Sequence, residues 1–203
     1  MANTWHIPKL ENFLKGIENS KEHIERVQSV SRAIDIFQYH LHMAKDSNDS
    51  IESSTPREAM ELVLIPEDKR QFVFETKLAI QANTQASIHS ARSIYDLFAQ
   101  LVNGLLLDEP LAVHKCDFFK LKDKLQESEL KKHLHHLSST EEFLYINAFV
   151  NTIKHRNLVS FGALIDFESG KSGVKFQSFS YSGKEYPAMW AEDVLKHSLF
   201  VKN

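Results

Sequence analysis

From Glu67 to about Leu107 the chain runs without a proline, and the one glycine in that stretch, Gly104, stands near its far end. Proline and glycine are the residues that interrupt helices, so the economical reading is a single long helix. Pro66 with Glu67 and Asp68 suits its start, because proline is preorganised for the first turn and acids favour the positive end. Ile88, Ile94, Tyr95, Phe98, Leu101, Val102 and Leu105 supply its larger apolar contacts. Ala79, Ala82, Ala86 and Ala91, with Ser87 and Ser90, make a slim surface that another helix can approach closely. A second long helical stretch runs from Pro8 to about Asp46, as one helix or as two with a break near Asn19-Ser20. A chain built on two such stretches is expected to be mainly α, a helical bundle, and its slim helix surfaces suit a two-fold homodimer.

Shorter signals fill in the rest. Asp46–Ser54 (DSNDSIESS) reads as a polar loop. Thr55-Pro56-Arg57-Glu58 is a capping box with proline at the first helical position, opening a short helix that ends before Pro66. Asp117–Lys124 and Glu127–Leu137 are further short helices. At Val159 the apolar period changes from 3.6 to two: Val159, Phe161, Ala163, Ile165 and Phe167 alternate as a strand does. ESGKSG turns the chain, and Val174–Tyr181 returns it, with an alternation that slips between Phe176 and Phe179. Ala188–Leu199 closes the chain as a helix. The expected organisation is one helical domain over residues 1–203, carrying a small β-hairpin appendage at 159–182 and the closing helix.

Composition excludes several classes. The 203 residues carry a formal charge of −3, so no global field draws the chain to nucleic acid, and any RNA contact needs a local basic patch. Cys116 is the sole cysteine, which removes an internal disulfide framework. No apolar run approaches the length of a membrane span, and MANTWHIPKLENF lacks a signal peptide's apolar centre. A cytoplasmic protein without membrane contact is the expectation.

The stretch with most chemistry is Ser139–Val159. Ser139 and Glu142 form a capping-box pattern, and Phe143, Ile146, Val150 and Ile153 make one apolar stripe behind it. Beside the stripe run Leu144, Ala148, Asn151 and His155. Asn151 and His155 are four residues apart, hence on one helix face, with Lys154 and Arg156 flanking. Arg92 on the long helix either lends a positive charge to this site or pairs with Asp96 on its own helix. Lys131, Lys132, His133, His135 and His136 concentrate cationic groups on one short element, read as a solvated helix end or as a patch for RNA phosphates. His133 and His136 lack a third metal ligand, so neither a metal nor a cofactor is implied.

The segment AFVNTIKHRNLV, at the end of its helix, resembles the motif of bacterial HEPN-like proteins (higher eukaryotes and prokaryotes nucleotide-binding domain). The resemblance covers roughly Glu67 to Val159. It implies an all-helical bundle, a frequent dimer, and in many members metal-independent RNA cleavage. The motif is an arginine, then a polar residue, then a histidine a few residues on. Asn151 and His155 match the polar residue and the histidine, while Val150 stands at the arginine's place. Arg156 lies beyond His155, about 100° further round the helix. A motif altered in this way implies a non-catalytic or degenerate HEPN-like protein acting through protein contacts or through RNA or nucleotide contacts. The alternative is an endoribonuclease in which His155 takes the 2′-hydroxyl proton of RNA and Asn151 orients the sugar or phosphate.

Overall fold

The computed structural model describes residues 6–53 and 55–203. The expectations for the N-terminal MANTW and for Ser54, the end of the DSNDSIESS loop, lie outside the described residues. Among those described, the chain is mainly helical with a small antiparallel strand region. The helices are α1 (Ile7–Leu14), α2 (Ser20–Asp49), α3 (Pro56–Val63), α4 (Arg70–Leu106), α5 (Phe118–Lys124), α6 (Glu129–Ser139), α7 (Glu141–His155) and α8 (Ala191–Lys202). The strands are β1 (Phe161–Ile165), β2 (Ser172–Phe176), β3 (Phe179–Tyr181), β4 (Lys184–Tyr186) and β5 (Met189–Trp190). Two compact units result, Met1–Asp35 with Ser93–Ser138 and Ile36–Arg92 with Ser139–Asn203. Both α2 and α4 contribute residues to each unit.

In the first unit the N-terminal stretch is two helices. The break falls where expected, with Asn19 at φ 55° in the left-handed region that asparagine tolerates. Leu14, Val27 and Leu101 form a buried cluster, against which Ile7, Leu10, Ile17, Ile24 and Leu105 pack. The irregular connection after α4 has backbone groups to satisfy, and α4 side chains satisfy them. Asn103 accepts from Leu111 N at 2.8 Å and donates to Leu111 O at 2.9 Å. Gln100 Nε2 donates to Val113 O and Cys116 O, and Asp96 accepts from Phe118 N. Asp117 caps α5 by accepting from Lys120 N at 2.9 Å.

Gly104 sits inside α4 because α2 side chains press on it. A Cβ there would lie 2.6 Å from Arg26 Nη1 and 2.8 Å from His23 Cε1. Arg26 can swing aside, but the His23 ring is buried and cannot. Gly104→Ala gains about 1 kcal/mol of helix propensity and meets an overpacking cost of about 1–3 kcal/mol. The expected result is a net loss of about 1 kcal/mol in urea unfolding. An unchanged or raised midpoint would show that His23 has room to yield.

In the second unit, α2 runs past its expected end at Asp46. Ser47 Oγ donates to Met43 O and Ser50 Oγ to Ser47 O, so serines that suggested a loop instead bond back onto the helix. The capping box at α3 is formed from both sides: Glu58 N donates to Thr55 Oγ1 and Thr55 N to Glu58 Oε2. One turn of 3₁₀ helix, Glu67–Lys69, precedes α4. The expected single hairpin is two small sheets. β1, β2 and β5 form one, in the order β1-β2-β5, and β3 with β4 forms the other. The slip between Phe176 and Phe179 is where the chain leaves one sheet for the next. Ser182 and Gly183, both at positive φ, make the two-residue turn from β3 to β4. The closing helix starts three residues later than expected, because Met189-Trp190 pairs with β2 as a strand.

Several small residues of α4 are consumed inside this unit. Ser87 and Ala91 are buried, and Ser87 Oγ lies 3.3 Å from Ser198 Oγ of α8. Asn83 bonds to the His40 ring of α2 at 2.9 Å.

Candidate functional site

The helix carrying Asn151 and His155 is capped one residue later than the sequence suggested. Thr140 is the N-cap, accepting from Phe143 N at 3.3 Å, where Ser139 was expected. Its buried face is also wider than one stripe. Phe143, Tyr145, Ile146, Ala148, Phe149, Val150 and Thr152 are all buried. Leu144, Asn147, Asn151 and Ile153 are half-buried, and Lys154 and His155 in the last turn are exposed.

Half-buried Asn147 carries a link of its own. Arg92 Nε of α4 donates to Asn147 Oδ1 at 2.9 Å, and its guanidinium lies 5.8 Å from the Phe143 ring. Asn151 Nδ2 donates to Asn147 O at 2.7 Å. Asn147 is therefore joined to Arg92 through its side chain and to Asn151 through its carbonyl. The signal in the sequence is its place four residues before Asn151, on the same face. Arg92 is 8% exposed, so its charge is held within the fold beside Asn147.

Val150 is 2% exposed, packed inward with Ile146 and Phe149. At the helix end, Arg156 N donates to Thr152 O, closing the last turn. Arg156 Nη1 donates to Ser180 O at 3.0 Å, and its guanidinium lies 5.6 Å from the Tyr181 ring. That arginine fastens α7 to β3. Lys154 and His155 are exposed in the final turn, where cations favour the negative end of a helix by about 0.3–1 kcal/mol.

The other candidates lie apart in their chemistry. Lys131 and Lys132 belong to the first unit, and each ammonium is 2.8 Å from a carboxylate, Glu127 and Glu129 respectively. His135 Nε2 is 3.7 Å from Asp123. The cationic cluster is thus partly neutralised in place. Among the described residues no group of histidine, cysteine and carboxylate side chains could hold a metal ion, and no helix is long and apolar enough to cross a membrane.

A groove of about 490 Å³ in the second unit includes neither Asn151 nor His155. It mixes Lys45 and Lys171 with Asp49, Glu52 and Glu192, so its charges largely offset one another. Compared with protein-family models, with curated proteins and with solved structures, the chain matches none.

Proposed function

We propose that this chain is a degenerate HEPN-like helical protein that works by contact and not by cleavage. Its exposed contact group is the end of α7: half-buried Asn151 with Lys154 and His155. Buried Val150, at the place of the family's arginine, carries this reading. Phosphoryl chemistry on RNA needs a preorganised cation near the developing charge, and losing one such contact costs about two to three orders of magnitude in rate. Arg156, next to His155 in sequence, and Arg92, bonded to Asn147 of the same helix, do not supply it. Arg92 is turned to Asn147, and Arg156 to Ser180 and Tyr181. The side chains of His155 and Lys154 remain at the surface with no hydrogen bond to another described residue, free to meet a phosphate or a base.

The test uses labelled single-stranded RNA in EDTA, with wild type, His155→Ala and Lys154→Glu. Wild type is expected to leave the RNA intact and to bind it in a salt-dependent way. Lys154→Glu is expected to weaken binding about tenfold, the effect of roughly 1.4 kcal/mol. Cleavage by wild type that disappears in His155→Ala would replace this reading with the endoribonuclease. Intact RNA with no binding would leave a protein partner as the contact.

A further inference from the structure

The first sheet ends on β1, whose outer edge pairs with no strand. Which backbone groups face outward is set by the ladder. Gln177 N donates to Ser160 O and Asp166 N to Lys171 O, both at 2.8 Å. In an antiparallel pair the bonded residues alternate, so Ser160, Gly162, Leu164 and Asp166 direct their backbone groups to β2. Phe161, Ala163 and Ile165 then direct their N–H and C=O away from it. Among the described residues no hydrogen bond from another element reaches those groups.

α3 packs against β1 near Ile165 without bonding to those outward groups, and burial shows that the strand is not enclosed. Val174 and Phe176 of β2 are buried, whereas their β1 partners Ala163 and Phe161 on the same face are only half-buried. Soluble proteins guard such edges with charge, proline or a bulge. The β1 sequence FGALI has no charge and no proline, and it pairs with β2 residue for residue.

We infer that β1 is the interface strand of a two-fold dimer, joining two copies antiparallel into one continuous sheet. The edge is self-complementary in the required way. With Ala163 opposite Ala163 of a second copy, Phe161 faces Ile165 twice, and the three outward residues form the bonded pairs. Aromatic side chains opposite β-branched ones are favourable cross-strand pairs.

Apolar surface flanks both ends of the strand. Phe161 shares a groove with exposed Phe74 and Leu78, and Ile165 shares one with exposed Met60 and Phe167. Aromatic side chains carry about 150–250 Å² each, so Phe74 and Phe167, both more than half exposed, offer roughly 300 Å², to which Leu78 and Met60 add. A stable interface takes about 800 Å² per partner, and the strand edge with Leu164 adds to that flank.

Light scattering at roughly 50 μM, well above the Kd of a modest interface, is expected to report a dimer. Ala163→Pro removes an N–H that faces outward and leaves the β2 ladder intact, so a folded monomer is expected. Ala163→Cys is expected to cross-link two chains on mild oxidation, since paired Cα atoms about 5.5 Å apart suit a disulfide. Wild type, with Cys116 buried, is the uncross-linked control. If Ala163→Pro fails to fold, the cross-link decides alone. A wild type that stays monomeric overturns the inference, and so does a dimer in which Ala163→Cys does not cross-link.

Discussion

Val150→Arg should not restore a catalytic arginine; it should unfold the second unit or come close to doing so. The position is 2% exposed and lies on the α7 face that also buries Ile146 and Phe149. A guanidinium placed there is cut off from water. Leaving a buried charge uncompensated costs about 3–5 kcal/mol, a large share of the 5–15 kcal/mol that holds a typical domain together. For a chain of this size that loss lowers Tm by about 10 °C or more. Val150→Ala, which removes two methyl groups and adds no charge, should lose clearly less. Thermal and urea melts of the two variants beside wild type make the comparison. A Val150→Arg protein that melts like wild type and cleaves RNA through His155 would mean that this face opens to solvent. The degenerate-site reading would then fail with it.

Val150 sits on the apolar stripe that its spacing with Ile146 and Ile153 predicts, and it is buried. Signals written within four residues were legible. Thr55 and Glu58 do form their reciprocal cap, Asp117 does start α5, and the change of period at Val159 does mark the strands. Near misses came where neighbours offered equivalent chemistry. Ser138-Ser139-Thr140 holds three hydroxyls before two glutamates, and which one caps α7 depends on where α6 stops. Met189-Trp190 has no strand signature of its own. It becomes β5 because Lys175 and Phe176 present an edge beside it.

The site shows the same division in sharper form. The helix face shared by Asn151 and His155 is set by spacing alone. The tie from Arg92 to Asn147 spans 55 residues of sequence, and no local pattern encodes it. Nor does spacing say that α4's small residues would be used against α8, at Ser87 and Ser198, within the same chain.

Phe149→Ala is expected to be among the most damaging single truncations in the second unit. Phe149 is fully buried, and its ring meets Phe176 of β2 at 5.3 Å and Phe179 of β3 at 5.5 Å, both edge to face. It therefore packs against strands of both small sheets from one helix position. Two- and three-stranded sheets this short are marginal alone and draw their stability from what packs on them. Tyr145 extends the cluster, touching Phe179, Tyr186 and His197, and the same burial pushes its hydroxyl pKa upward. Removing the Phe149 ring forfeits its transfer free energy and leaves a cavity between elements that cannot all close over it, about 3–5 kcal/mol in total. Phe149→Leu keeps most of the volume and should cost about 1–1.5 kcal/mol. His155→Ala, on the exposed row of the same helix, should stay within about 0.5 kcal/mol of wild type. Urea titrations of the three variants give the order directly. A Phe149→Ala midpoint as close to wild type as that of His155→Ala would show that the two sheets hold together without α7.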